Sequence, residues 1–314
     1  MNGWLLALLQ TALFVAAAPL LSGWVRCVKC RLQNRIGPPP WQPYRDLAKL
    51  FRKEVVLAAP ASPIFRAAPY IVFSVTVLAA SVLPLVAVGL PTSAIADVIV
   101  LVGFFALGRF FLALAGMDVG TAFGGMGSSR EVTIASVAEP AMLLAVFTLA
   151  MSTASTNLST MIGSLARAPF QLHPSFIFAA MGLILVAVAE TGRIPVDNPA
   201  THLELTMIHE AMILEYSGRH LALMEWAAML KLLIYGVLIA NLFCPWGVAL
   251  SLAPGPIAVG VAAIAAKLLV LGVLLAVGET ALAKMRLFRV PQFLGLAFIL
   301  CLLGMLSHVI LEVR

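Results

Sequence analysis

Residues 69–90 have the sequence PYIVFSVTVLAASVLPLVAVGL, a run of 22 residues without a charged side chain. A run of this length matches the hydrocarbon thickness of a bilayer, where a helix satisfies all of its own backbone hydrogen bonds. Similar apolar runs recur along the 314-residue chain, of which 62% is hydrophobic and 11% charged. The sequence therefore predicts an all-α, polytopic membrane protein.

The apolar runs predict a bundle of about eight membrane-spanning helices, with bounds accurate to about four residues. The chain contains no Ser/Gly-rich linker, charge run or internal repeat that would divide it, so residues 1–314 are predicted to form a single membrane domain. The predicted spans are 2–24, 69–90, 95–117, 131–154, 174–190, 220–243, 256–279 and 290–311.

The distribution of basic residues predicts the orientation of the bundle, because cytoplasmic loops are enriched in Lys and Arg. One side of the membrane carries 15 of the 20 Lys and Arg residues, whereas the opposite loops and tail carry only Arg167 and Arg314. The N-terminus is therefore predicted outside, and the net charge of +6 reflects orientation rather than a nucleic-acid partner. The loops assigned to the cytoplasm are 25–68, 118–130, 191–219 and 280–289.

The three basic residues outside the loops and the tail fall inside predicted spans, and so does Glu139. Arg109, Lys231, Lys267 and Glu139 each require a partner or a water-filled cavity, since a central Arg or Lys costs about 2.5–3.5 kcal/mol on insertion scales. Such residues form either interhelical ion pairs that only stabilise the bundle or part of an ion or proton path. By depth, Arg109 is the nearest candidate partner of Glu139.

Residues 190–220 contain five of the 14 acidic residues of the chain. Asp197, Asn198 and Pro199 resemble a helix start, and a helix is predicted to follow toward Glu215. Its sequence LELTMIHEAMIL, residues 203–214, is too apolar for a free loop. A carboxylate in an apolar stripe favours the protonated form. The stretch is therefore predicted to line a polar cavity, and the alternative is a solvated loop whose acids face water.

The chain is predicted to carry no cofactor of its own. Cys27 and Cys30 form a single CxxC, without the second pair that zinc and iron–sulfur sites usually require. No phosphate-binding glycine loop or nucleophile triad is present.

Four sequence blocks resemble the subunit 1 (H-type) family of respiratory complex I and its hydrogenase relatives. The resemblance is strongest to the membrane subunit of formate hydrogenlyase and related group 4 membrane-bound nickel–iron hydrogenases. One departure is Pro38-Pro39-Pro40, which stiffens a turn where the family commonly has glycine after the first proline. The blocks are RLQNRIGP at 31–38, QPYRDLAKL at 42–50, GMDVGTAFGGMGSSRE at 116–131 with Glu139-Pro140, and ETGRIPVD at 190–197 with EYSG at 215–218.

The resemblance implies a noncatalytic subunit in the prokaryotic plasma membrane. Such a subunit joins a cytoplasmic electron-transfer arm to an ion-translocating membrane arm. The implied partners are the hydrogenase large and small subunits, an iron–sulfur subunit and antiporter-like membrane subunits. These partners would hold the iron–sulfur clusters and the nickel–iron centre, and the resemblance leaves open whether a quinone binds.

The resemblance also implies roles for individual residues. Contact with the redox arm is implied for Arg31, Arg35, Arg45, Asp46, Asp118, Arg130, Arg193 and Asp197. A proton or ion path is implied for Glu139, Glu190, Glu204, Glu210, Glu215, Glu225 and Glu279, to which the intramembrane bases Arg109, Lys231 and Lys267 are added.

Three alternatives remain at this stage. The chain could be the quinone-chamber subunit of an NADH:quinone oxidoreductase, a stand-alone cation or proton transporter, or a passive anchor whose charges are all structural.

The predicted topology can be tested by cysteine labelling. In a background without native cysteines, Gln33→Cys should resist an impermeant maleimide in sealed cells and react after permeabilisation, because the loop 25–68 is predicted inside. A variant that retains only Cys244, predicted near the opposite side, is the control and should react in both conditions. Labelling of Q33C in sealed cells would contradict the topology.

Overall fold

A computed structural model describes residues 3–168, 173–197, 207–286 and 289–312. Its described part contains eleven α-helices, and seven of them are long and apolar enough to cross a membrane. An eighth apolar helix, α7, has 17 residues and packs against α5 and α11. The predicted all-α polytopic bundle is confirmed. The helices are α1 (Gly3–Leu32), α2 (Gln42–Arg52), α3 (Pro63–Val82), α4 (Val98–Asp118), α5 (Ala122–Thr153), α6 (Leu158–Arg167), α7 (Pro174–Glu190), α8 (His209–Ile213), α9 (Gly218–Phe243), α10 (Pro254–Ala281) and α11 (Val290–Ser307).

The apolar run 69–90 is helical only in its first part. Helix α3 begins earlier than predicted, at Pro63, and ends at Val82. The next residue, Leu83, has an extended backbone (φ −83°, ψ 126°), as expected for a residue that precedes proline. Hydropathy alone therefore placed the end of this helix too late.

Two buried side-chain amides form hydrogen bonds with backbone groups of the irregular segment that follows α3. Gln10 Nε2 donates to the Leu83 carbonyl oxygen at 3.4 Å, and Gln10 Oε1 accepts from the Val86 amide at 3.2 Å. Asn241 Nδ2 donates to the Pro84 carbonyl oxygen at 2.8 Å. Non-helical backbone at membrane depth requires such partners, because lipid offers none.

Helices α1 and α5 extend beyond their predicted spans. Because α1 continues to Leu32, Cys27 and Cys30 lie one turn apart on a helix, both as free thiols. Helix α5 begins at Ala122 rather than near residue 131, so Glu131 lies inside it.

The acidic stretch between α7 and α9 contains less helix in its described part than predicted. Met207 and Ile208 are not helical, and α8 covers only His209–Ile213. The predicted helix start at Asn198 and the predicted site residue Glu204 lie outside the described residues. Helix α8 packs against α4 and α5, which brings part of this stretch into contact with two membrane-spanning helices.

The structural role of Gln10 can be tested by substitution with leucine. Gln10→Leu leaves the Val86 amide and the Leu83 carbonyl without their partner, so the chain purified in detergent should lose about 1–3 kcal/mol of stability. Thermal unfolding measures this loss. Thr11→Val is the matched control, because the Thr11 hydroxyl donates only to Ala7 of its own helix. Equal stability of Q10L and T11V would rule out the proposed role.

Candidate functional site

Arg109 is the centre of a buried group of charges. It lies in the middle of α4, and only 6% of its side chain is exposed. Its Nε lies 3.2 Å from Glu131 Oε1, its Nη2 lies 2.5 Å from Glu190 Oε2, and its Nη1 contacts Glu139. The Arg109–Glu139 contact agrees with the pairing that was predicted from depth. Two further carboxylates share the same guanidinium.

The three carboxylates come from two helices and differ in exposure. Glu131 and Glu139 lie on α5, eight residues or about 12 Å apart along the helix axis, and Glu190 is the last residue of α7. The side chains of Glu131 and Glu190 are 3% and 2% exposed, whereas that of Glu139 is 32% exposed. Glu139 is therefore the acid of this group with the most access to its surroundings.

Lys231 and His209 complete the group. Lys231 on α9 places Nζ 2.8 Å from Glu190 Oε2. His209 on α8 places Nδ1 3.0 Å from Glu131 Oε2 and Nε2 3.3 Å from the backbone carbonyl oxygen of Glu190. The Arg109 cluster is the name used below for Arg109, Glu131, Glu139, Glu190, His209 and Lys231.

Two close approaches position the His209 ring. Gly127 on α5 faces α8, and a Cβ at that position would lie 3.0 Å from the Ile208 carbonyl oxygen. Gly192 has φ +60° and lies beside the imidazole, where a Cβ would be 3.3 Å from His209 Cδ2. Arg130 Nη1 donates to the Met207 carbonyl oxygen at 2.8 Å and fixes the start of the same segment.

The surroundings of His209 shift its pKa in opposite directions. Burial favours the neutral ring and lowers the pKa, and the charge of Lys231 adds to that effect. The Glu131 carboxylate raises the pKa through its charge and its hydrogen bond, and the Glu190 carbonyl raises it further. The raising effects prevail, so the pKa of His209 lies above its ordinary value.

A cavity of about 100 Å³ adjoins the cluster. Its lining includes Arg109, Glu131, His209 and Lys231 among apolar side chains such as Phe105. A cavity with this volume and several polar groups is large enough for a few water molecules. The cluster could therefore exchange protons through water as well as through direct contacts.

A second ion-pair group lies where α1, α7 and α10 end. Glu279 accepts from Lys29 Nζ at 2.6 Å and from Arg193 Nη1 at 3.2 Å. Asp197 pairs with Lys284 at 3.4 Å and accepts from the Ile208 amide at 3.0 Å. Asp197, for which a contact with the redox arm was predicted, is thus buried within the subunit, with 3% of its side chain exposed.

A third group of acids lies near Arg26. Glu225 on α9 is within electrostatic range of Glu210 and Asp46, and Arg26 lies 3.8 Å from Asp46. Glu210 directly follows His209 in the chain, so α8 connects this acidic group to the Arg109 cluster.

The other predicted site residues are separated from these groups. Asp118 accepts from the Ser62 amide at 2.8 Å at the start of α3, and Lys267 is half-buried on α10, which packs against α1 and α9. The exposed members of the predicted set are Arg31, Arg35, Arg45 and Glu215.

Glu131 and His209 were not among the predicted site residues. Glu131 is the first residue of its predicted span, 131–154, and the glycine-rich sequence before it has low helix propensity. His209 lies within the acidic stretch 190–220, whose predicted site residues were all carboxylates and Arg193. A usable signal was the spacing of Glu131 and Glu139, which at eight residues lie close to one helix face.

Within the described ranges, no group of three or more His, Cys, Asp or Glu side chains is arranged to hold a metal ion. The charged residues of the cluster instead pair with one another. The chemistry open to them is proton transfer and the stabilisation of charge.

Known proteins that resemble this chain are membrane subunits of redox complexes. A family model described as NADH dehydrogenase matches residues 5–310. Formate hydrogenlyase subunit 4 of Escherichia coli is 32% identical, over 96% of this chain and 97% of the relative. Hydrogenase-4 component C of the same organism is 32% identical, over 95% and 93%. NADH-quinone oxidoreductase subunit 8 of Rhodothermus marinus is 26% identical, over 75% and 69%.

A solved structure shares the fold. One chain of the membrane-bound sulfane sulfur reductase, an archaeal respiratory membrane complex, superposes with a TM-score of 0.77. The match covers 98% of this chain and 99% of that chain at 19% sequence identity.

The dependence of the cluster on Arg109 can be measured directly. Arg109→Gln leaves three buried carboxylates without their common cation, so the chain should lose about 3–5 kcal/mol of stability. Thermal unfolding and the yield of assembled complex report the loss. Lys267→Gln is the control, because it removes an intramembrane base that has no ion pair among the described residues. Equal losses in the two variants would show that the carboxylates do not depend on Arg109.

Proposed function

Because the chain belongs to the NADH dehydrogenase family of membrane subunits, we propose that it couples electron transfer in a partner arm to proton or sodium movement across the membrane. The chain is a multi-pass subunit of a prokaryotic respiratory or hydrogenase membrane complex. In the proposed function its partners perform the redox chemistry, and its own residues respond to that chemistry by binding, holding or releasing charge.

The Arg109 cluster is the observation that carries the proposal. It gathers charged side chains from α4, α5, α7 and α9 and from α8, inside a membrane bundle where unpaired charge is costly. Moving one charge against 100 mV requires about 2.3 kcal/mol. A change of one to two units in the pKa of a coupled carboxylate supplies about 1.4–2.7 kcal/mol. The energies of local pKa changes and of ion movement are thus of the same order.

The structure suggests an order for the path. Asp46, Glu210 and Glu225 form an acidic entrance beside α2 and α9. From there the path would continue along α8 to Glu131 and end at the partly exposed Glu139. Arg109 and Lys231 hold the buried acids at fixed positions.

The Glu279 group is the proposed connection to the redox arm. Lys29 and Arg193 both contact Glu279, and Arg193 lies three residues after Glu190, which is the last residue of α7 and a member of the cluster. A shift of the Arg193 backbone would therefore reach the Arg109 cluster within a few residues. The exposed Arg31, Arg35 and Arg45 are the proposed contacts for the partner itself.

A hydrogenase complex is the favoured context, since two hydrogenase subunits match almost the full length of the chain. The proposed partners are the hydrogenase large and small subunits, an iron–sulfur subunit and antiporter-like membrane subunits. A quinone-linked complex is the second candidate, supported by an apolar cavity of about 320 Å³ beside Glu279. Nickel in the purified complex without bound quinone supports the first context, and quinone without nickel supports the second.

The proposed function predicts that Glu139→Gln uncouples the complex. Glutamine can still accept a hydrogen bond from Arg109 but cannot exchange a proton, so assembly should be retained while ion translocation per electron falls several-fold. Ion gradients and electron transfer measured together in vesicles give this ratio.

Glu54→Gln, which alters an exposed acid outside the cluster, is the control and should keep the wild-type ratio. An E139Q complex that assembled normally and translocated ions at the wild-type ratio would remove Glu139 from the path.

A further inference from the structure

His209 has an oxygen acceptor beside each of its ring nitrogens. Nδ1 lies 3.0 Å from Glu131 Oε2, and Nε2 lies 3.3 Å from the Glu190 carbonyl oxygen. A carboxylate and a backbone carbonyl only accept hydrogen bonds, and a neutral imidazole has a single N–H. The doubly protonated ring carries an N–H beside each oxygen, whereas a neutral ring leaves one nitrogen lone pair facing an oxygen.

The formal charges of the Arg109 cluster favour the same protonation state. The three carboxylates contribute three negative charges, and Arg109 and Lys231 contribute two positive charges. The cluster is therefore neutral with a protonated His209 and has a net charge of −1 with a neutral one. An uncompensated charge among apolar helices is costly. The cluster therefore favours binding one additional proton, which balances the third carboxylate.

We propose that His209 holds the exchangeable proton of the Arg109 cluster and that this proton holds α8 against the bundle. The inference deepens the proposed coupling function and rests on it for its role in the complex. Loss of the proton removes one of the two ring contacts and leaves a lone pair facing an oxygen. Protonation of one ring is thereby linked to the position of residues 207–217.

The charged groups that face His209 come from every helix around it. Helix α5 presents Glu131, α7 presents Glu190, α4 presents Arg109 and α9 presents Lys231. On the segment that carries His209, Glu210 is adjacent, and Arg130 of α5 holds the Met207 carbonyl. Of these groups, Glu131 is the one in direct contact with the ring, so it should control the proton affinity of His209.

A proton can move within the cluster without changing its net charge. Transfer from His209 Nδ1 to Glu131 Oε2 breaks one N–H bond and forms one O–H bond, which leaves a neutral imidazole and a neutral carboxyl. Exchange with solvent through the adjoining cavity changes the net charge by one. The first step would relay a proton inward, and the second would reload the ring.

The linkage has a defined sign. When α8 packs against the bundle, the pKa of His209 lies above the ordinary histidine value of about 6.5. The contact between the protonated ring and Glu131 in this docked state is therefore fully formed below about pH 6.5. The contact weakens as pH rises through the raised pKa. The opening equilibrium of α8 should increase by about tenfold for each unit by which the docked pKa exceeds the undocked one.

Hydrogen–deuterium exchange of the purified whole complex tests the inference. After correction for the intrinsic pH dependence of amide exchange, peptides within residues 207–217 should exchange faster once the pH rises through the raised pKa of His209. This pH-dependent increase in exchange is called the step below. His209→Gln should abolish the step. Glu139→Gln should move the step to lower pH, because one negative charge is lost while the ring remains. His308→Gln is the control, because His308 is buried at the end of α11, outside the cluster and outside residues 207–217, and should leave the step unchanged.

Three results would overturn the inference. The first is a wild-type complex without the step, and the second is a step that persists in H209Q. The third is a step that disappears in E139Q, because that result would place the proton on Glu139. The exchange step is independent of pumping. Loss of the step in H209Q with a normal ion-to-electron ratio in E139Q would therefore reject the proposed path while supporting the protonation of His209.

Discussion

The burial of the Arg109 guanidinium is the constraint on which the rest of the structure depends. A cation that is 6% exposed among spanning helices is stable only if anions surround it. Glu131 and Glu139 from α5 and Glu190 from α7 meet this need, and they fix the rotation of both helices relative to α4. The ion pairs therefore specify how helices with little amphipathic asymmetry pack together.

The cluster contains more carboxylates than permanently charged cations, so its net charge can change when a proton binds or leaves. Arg109 and Lys231 cannot neutralise three acids, so the balance depends on a titratable group and on the surrounding protons. His209 reaches the cluster only because α8 packs against α4 and α5. An event that displaces the segment between α7 and α9 would thus alter the charge balance inside the membrane. This coupling is local and requires no movement of the spanning helices.

Much of the fold could be predicted from the sequence because a bilayer imposes length and polarity on each span. Length and polarity did not predict where α3 ends, because the Gln10 side chain there replaces the hydrogen bonds of a helical backbone. Depth predicted the pairing of Arg109 with Glu139, since both residues lie eight residues from the cytoplasmic ends of their predicted spans, 95–117 and 131–154. Glu131 and His209 could not be predicted in this way. Their roles depend on the close packing of a glycine-rich helix start against α8, which composition disfavours and tertiary contacts stabilise.

The most direct test of the account is redox-difference infrared spectroscopy of the whole complex in membranes, recorded in H₂O and in D₂O. If electron transfer in the partner arm changes the protonation of the Arg109 cluster, reduction should change the infrared absorption of a protonated carboxyl group. The contribution of Glu139 to that band should shift in D₂O and be absent from the Glu139→Gln complex. A wild-type complex that turned over fully without any carboxyl band linked to reduction would contradict the account and indicate that the cluster only holds the helices together.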